Sequence, residues 1–574
     1  MSRTRDIVDI LSVTEKENPD NRALLDSSDL GVTVAGNPLQ YFDTLDSLPS
    51  TNLSAGDTAY VAASNRFYLS NGNGWYNVAL VNVTPSLSIS PSGSITLNTD
   101  GSATVITLTG QDSDNANLTF SVESDGTFLG LGTIVRDSSV FTITPFSADS
   151  ATQTSSTLTF KVTDGVGIDS GTSALSLTFG PDWSATQSQH RIPNPDGTAY
   201  DYFGHRVDIN DDGTRFVVMS STGGEVEVYQ GSAASWTQEY KATEGSLGNS
   251  SQPGDVAMSA DGSIIAVGRP YSAQSGNERG DIVVRTRSGS TWSNASGSPT
   301  LAASDKGDYD KLGRSIDISG DGNYIIAGAP GETSNTGAAY VFYQGSTHTW
   351  AQQAKITSTG GATSEQFGID VDIDADGTRA IIGAWKEDNS SNSEDYGAAY
   401  IFKRTGTSWA QEARIVSSDI ALDDEFGNTV AINSTDGSVA VVGAHLEDTG
   451  GDMAGAAYIF KRTGTSWAQD AKIVADDAAA YDIYGWRVAI SADGSHVFVT
   501  AQLENSNQGK IYVYKNTSGS TWAQQATIVQ SSRVTGYFGD GLAVNNDGSI
   551  VIAGAHRETA TNSNAGAVYI TYFA

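Results

Sequence analysis

The sequence predicts an all-β protein whose C-terminal two-thirds, residues 182–574, form a seven-bladed β-propeller. Three observations carry this expectation. An Asp-Gly pair recurs seven times, ending in Gly213, Gly262, Gly322, Gly377, Gly437, Gly494 and Gly548, at spacings of 49, 60, 55, 60, 57 and 54 residues. Each pair lies between two apolar runs, as in VAISADGSHVFVT. A tryptophan opens a further run in each unit: Trp183, Trp236, Trp292, Trp350, Trp409, Trp467 and Trp522.

Each unit contains four short strand patterns. Asp-Gly between apolar runs marks a hairpin, because glycine takes positive φ freely and the aspartate bonds its own turn backbone. A run such as Gly-Ala-Ala-Tyr-Ile-Phe follows, then a Thr-Gly turn, then the tryptophan strand. The segment GAAYIFKRTGTSWAQ stands unchanged at 397–411 and 455–469. A four-stranded sheet repeated seven times, with two apolar faces to bury, suits blades stacked around an axis. The first tryptophan precedes any Asp-Gly unit, and the last unit ends at YITYFA without one. The stretch around Trp183 is therefore expected to complete the last blade, so that the N-terminal strand closes the ring without an open edge.

Upstream, residues 85–181 show alternating runs (SATVITLTG, VFTITPF, TLTFKV) at the spacing of an immunoglobulin-like β-sandwich. Residues 39–84 read as a small β module ending in RFYLSNGNGWYNVALVN, and residues 1–38 as an N-terminal docking segment that orders on a partner.

Composition bounds the function. The chain has 574 residues, 32 basic and 66 acidic, for a net charge of −34. Such charge repels nucleic acid and anionic membrane surfaces. No stretch approaches the length of a membrane helix, so no membrane insertion is expected. With no cysteine, disulfides and thiolate metal sites are excluded. The first residues lack the apolar run of a signal peptide. Six histidines and no nucleophile motif point away from an enzyme.

Two sets of candidate site residues follow. The long loops joining strands two and three share one face with the blade-to-blade loops, where recognition usually sits. On that face Trp385, His445, Gln502 and His556 end the second strand of successive blades. They are expected to rim the central opening and contact a sugar-like or peptide ligand; the competing reading is ordinary loop packing. The second set is a candidate calcium site. Asp208, Asn210, Asp212 and Asp372, Asp374, Asp376 place oxygens at i, i+2 and i+4 before a glycine, a spacing that lets a tight loop converge on a hard cation. A structural Asp-Gly turn accounts for the same residues and needs no ion.

Phe203-Gly204, Phe367-Gly368, Phe426-Gly427 and Phe538-Gly539 precede Asp-Gly turns, and Gly328-Ala329-Pro330, Gly383-Ala384-Trp385 and Gly443-Ala444-His445 follow them. This pattern resembles the FG-GAP repeat of integrin-α-like propellers. Pro253-Gly254 departs from it. The family's calcium loops normally carry an acid at i+8, where Phe216 and Ala380 stand here. Asp112-Ser-Asp114 and the acid at Asp164 look like a cadherin-like or Ig-like module of the kind that binds calcium between tandem copies; a single copy implies a spacer.

The segment LPSTNLSAGDTAYVAASNRFYLSNGNGWYNV resembles N-terminal regions of tailed-phage virion proteins of the cyanophage kind. That resemblance implies a fibre, spike or decoration subunit, assembled in the host cytoplasm. It would be anchored to other virion proteins by its N-terminus and present the propeller to a host-surface glycan or protein. Homo-oligomerisation would fit a fibre, although no heptads support a trimer. The alternative is a bacterial surface or secreted adhesin, placed extracellularly.

Overall fold

A computed structural model describes residues 40–574 except 63–65, 72, 79–83, 91, 93, 98–103, 112–117, 125–131, 146–154, 164–169, 171, 180–186, 233–234, 246, 248–252, 273–276, 296–299, 346–348, 360–363, 389–394, 420, 533, 560–561 and 574. The docking segment, Trp183, Asp112, Asp114 and Asp164 thus lie outside the described residues. The chain divides into two compact units, Met1–Phe179 and Gly180–Ala574.

The first unit is all β among its described residues. Gln40–Phe42, Ala55–Val61, Arg66–Asn71 and Trp75–Val78 form one four-stranded sheet, its first pair parallel. Two further four-stranded sheets share a core of Leu97, Ile106, Leu108, Phe141, Ile143, Leu158, Phe160, Leu175 and Leu177. Alternation along Thr104–Gln111 places Ile106 and Leu108 on its core face.

Among its described residues the second unit contains seven sheets, six of four strands and one, opening on Val256–Met258, of five. The first comprises Phe203–Ile209, Arg215–Ser220, Glu225–Ser232 and Ser235–Thr243, all antiparallel and in chain order. The second to sixth open on Val256–Met258, Ile316–Ile318, Val371–Ile373, Thr429–Ile432 and Tyr484–Ile490. The seventh comprises Phe538–Val544, Ile550–Ala555 and Ala567–Tyr572. Its fourth strand is Ser188–Pro193, antiparallel to Ala567–Tyr572 with Arg191 opposite Tyr569.

Local chemistry explains the hairpins. In all seven Asp-Gly pairs the glycine has φ between +55° and +75°, where a Cβ is strained. The aspartate accepts the N–H of the residue two further on, at 2.9 Å in Asp212, Asp261, Asp321, Asp493 and Asp547. Each is an Asx-type turn.

Packing follows a seven-fold pattern. Apolar clusters join the first sheet to the second, the second to the third, and so on to the seventh. A seventh cluster holds Ile192, Ala543, Ile552, Val568 and Ile570 of the last sheet against Phe203, Val207, Phe216 and Val218 of the first. At the seams a Cβ on Gly268, Gly328, Gly383 or Gly443 would overlap the carbonyl of Gly313, Gly368, Gly427 or Gly485 in the next sheet. Gly554 meets Gly204 in the same way. The two glycines of the repeat thus serve one purpose, letting neighbouring backbones touch.

Candidate functional site

The opening strands of the seven sheets surround a channel lined from every sheet, among others by Asp208, Asp255, Asp317, Asp370, Asp372, Arg487 and Asp540. Its carboxylates tie the first five sheets each to the next. Met258 N–H donates to Asp208 (2.6 Å), Ile316 N–H to Asp255 (3.2 Å), Ile373 N–H to Asp317 (3.0 Å) and Ile432 N–H to Asp372 (2.7 Å). Burial pushes the carboxyls of Asp208 and Asp372 well up, and the nearby Asp317 adds to both.

This placement corrects the candidate calcium sets. Asp208 and Asp372 sit in the channel on backbone N–H groups, apart from the turns. Asn210 accepts Arg215 N–H at 2.8 Å and donates to Asp212 at 2.7 Å. Asp374 accepts Arg379 N–H at 2.9 Å and the Thr378 hydroxyl at 2.8 Å, and Asp376 accepts Thr378 N–H at 3.1 Å. The six residues do not converge, because the turn backbone takes the oxygens an ion would need. Burial raises Asp374 to about 6. Asp212→Ala is expected to cost about 1 kcal/mol with or without calcium, and millimolar calcium to leave the melting temperature unchanged. A calcium-dependent rise lost in this variant would reinstate the ion.

At the end where the opening strands begin and the second strands finish lies a cavity of about 240 Å³. Its lining includes Arg206, Arg314, Arg487, Arg557, Trp486, Tyr537, Asn428, Gln502, Asp540 and His556. The residues just after the Phe-Gly pair supply much of it: His205 and Arg206, Arg314, Ile369, Asn428, Trp486 and Arg487, and Asp540. The glycine of that pair, at φ +90° in Gly204 and +89° in Gly485, turns the chain into the channel and delivers these side chains to its mouth.

Of the four rim candidates, Gln502 and His556 line this cavity. Trp385 and His445 do not. Trp385 donates to Gln366 at 3.2 Å beneath the Lys386 ammonium. His445 is buried edge-on against Trp486, with Nε2 3.3 Å from Glu425. Burial and then Arg487 push His445 down to about 3, while burial, aided by Asp395 and Asp423, raises Glu425 to about 7. Below about pH 7 a neutral acid therefore faces a neutral imidazole. The folded state therefore holds the Glu425 proton more tightly than the unfolded chain, so this contribution to stability is full below about pH 4.5 and lost as pH rises to about 7. Glu425→Gln should remove about 1–3 kcal/mol of pH dependence across that window, read by denaturant titration at pH 4.5 and 7.5.

His205, Asp540 and His556 form the cavity's deepest polar cluster. The two imidazoles stack 4.3 Å apart, 5° from parallel. His205 Nε2 and His556 Nδ1 each stand 3.1 Å from Asp540 Oδ2. His205 Nδ1 meets the Ser221 hydroxyl at 2.8 Å, and Trp486 Nε1 donates to Asp540 Oδ1 at 2.7 Å. Burial lowers both histidines, His205 to about 4. The Asp540 carboxyl is held well below the usual range: burial opposes, but His556, His205 and Arg206 prevail. Three such donors can hold a metal. Here Arg557 Nε donates to His556 Nε2 at 3.2 Å, leaving the ring proton on Nδ1, and the Arg206 guanidinium stands 3.8 Å from Asp540. That is an environment for a buried counter-charge rather than a cation.

Sequence comparison identifies four FG-GAP repeats, at residues 298–342, 350–402, 409–460 and 467–514. The C-terminal unit is an all-β, propeller-type assembly containing these repeats. No curated protein matches the chain. Among solved structures it is similar to hydrazine synthase of Kuenenia stuttgartiensis (14% identity, TM-score 0.41, 61% of this chain and 91% of that one). It is also similar to a putative 6-phosphogluconolactonase of Bacteroides fragilis (13%, 0.41, 61% and 86%) and to the GH74 xyloglucanase of Xanthomonas campestris (14%, 0.41, 64% and 54%).

Proposed function

We propose that this chain is a recognition protein rather than an enzyme, and that residues 182–574 form a closed seven-bladed propeller with its binding surface at the cavity mouth. The observation that carries the reading is the 240 Å³ cavity at the channel end, walled by aromatic, amide and guanidinium groups from several sheets. Such convergence of polar groups on a rigid scaffold is the usual form of a ligand site. Closure is supported by the pairing of Ser188–Pro193 with Ala567–Tyr572 and by the Gly554–Gly204 seam, which repeats the contact made between consecutive sheets. The upstream sheets are read as an Ig-like spacer at 85–181 and a small β module at 39–84.

In this reading the protein is a virion fibre, spike or decoration subunit, held by residues 1–38 and presenting the propeller to a host surface or a neighbouring protein. The support is the likeness of the N-terminal region to tailed-phage proteins. Labelling particles with an antibody to the propeller and imaging them by electron microscopy tests it. Label on the particle exterior is expected. Label confined to bacterial cell surfaces would replace this reading with the adhesin.

A further inference from the structure

Resting on the recognition reading, we propose that the cavity mouth binds the carboxylate-bearing terminal residue of an acidic saccharide. The chain carries 66 acidic and 32 basic residues, yet the lining of this cavity holds four arginines and one carboxylate, Asp540. His205 and His556 add no charge near neutral pH, since burial keeps them neutral. Arg206 also approaches Asp255 at 3.7 Å. Asp370 acts on Arg314 as Asp255 does, so four positive charges face three negative ones.

The local environment records that excess. Arg206 is pushed down to about 9, by burial first and then by Arg487. Arg314 is lowered by the same two causes in the same order. An oxyanion among these guanidiniums would relieve the repulsion and gain charge-assisted hydrogen bonds.

Donors are present for it. Arg314 Nη1 donates to Pro253 O at 3.1 Å, Arg487 Nε to Asp540 O at 3.2 Å and Arg557 Nε to His556 Nε2 at 3.2 Å. Each of these bonds uses one of the five N–H donors of a guanidinium, and its planar fork matches a carboxylate bidentately. Trp486 and Tyr537 line the mouth with the Arg487 and Arg557 guanidiniums over their rings, giving it aromatic walls, and Gln502 and Asn428 offer amides for the hydroxyls of a sugar. A volume of about 240 Å³ suits one sugar residue. The sugar part distinguishes this ligand from a bare phosphate, which needs neither the aromatic walls nor the amides.

The test is titration calorimetry on the full chain with glucuronate, glucose and inorganic phosphate, at 50 and 500 mM NaCl. Glucuronate should bind, at least tenfold more tightly than glucose or phosphate, and weaken at high salt. Arg314→Gln and the more peripheral Arg557→Gln should each weaken it at least tenfold, with melting temperature recorded to certify the fold. Equal binding of glucuronate and glucose overturns the anion site, and equal binding of phosphate overturns the saccharide. Unchanged affinity in both variants, each folded, does so too. If particles are labelled and host cells are bound as strongly by the Arg557→Gln chain as by the unaltered one, this inference fails while the recognition reading stands. If glucuronate binds but the chain meets no cell or particle surface, the recognition reading fails and the anion site stands.

Discussion

Gly554→Val should lower the unfolding free energy by at least about 3 kcal/mol, the largest effect expected of a single surface-neutral substitution here. Gly554 lies on the second strand of the seventh sheet, and a Cβ there would overlap the Gly204 carbonyl of the first. Gly554 is held in an antiparallel ladder opposite Val568, and Gly204 sits in a β-bulge between the paired Phe203 and Arg206, so the contact is backbone against backbone. The branched side chain would wedge apart the seam that also buries Ile192, Phe203 and Val568. Gly406→Ala is the control. No atom lies within 4 Å of that Cβ, so only the strain of its φ of +64° is felt, about 1 kcal/mol. Denaturant unfolding of both variants measures the difference. A Gly554→Val protein as stable as the control would mean that the seventh and first sheets do not meet through this glycine.

Asp540→Asn should cost about 3–5 kcal/mol at neutral pH, for a different reason. The amide oxygen can still accept Trp486 Nε1, so shape and that hydrogen bond survive. The charge does not. Arg206, buried beside Asp540, is left with Asp255 alone, 3.7 Å away, and an under-compensated buried charge is costly. The sign with pH follows from the depressed carboxyl. Its contribution is present above the unfolded value of about 3.8 and is lost only as pH falls through the lower folded value. The gap between the unaltered and Asp540→Asn proteins should therefore hold constant from pH 5 to 8 and close on strong acidification. A gap that widened on acidification would contradict the assignment of Asp540 as the ionised partner.

Much of the architecture was written in short-range patterns. Asp-Gly pairs, Thr-Gly turns and β-branched runs dictate hairpins locally, since φ preference and alternation act over two to six residues. The all-β class and the FG-GAP repeats were legible for that reason. The Asp-Gly aspartates were legible only in part. The i, i+2, i+4 spacing suits an ion equally well, and the structure separates the sets: Asp208 and Asp372 turn into the channel, while Asn210, Asp212, Asp374 and Asp376 bond the turn.

The cavity is where local reading ended. His445 ends a second strand, as Gln502 and His556 do, yet it packs under Trp486 instead of lining the mouth. The arginines were overlooked because they occupy different repeats, separated by 108 residues between Arg206 and Arg314 and by 173 between Arg314 and Arg487. A signal was available: the residue after Phe-Gly or its variant is His205, Arg314, Ile369, Asn428, Trp486 or Asp540, diverse chemistry in an otherwise regular motif. What the sequence alone determined is the repeat, its strands and its turns, because these obey forces acting within one hairpin. Which side chains share a cavity, and with what net charge, was decided only when the sheets brought positions far apart in the chain together; charges that far apart in the chain interact through space alone.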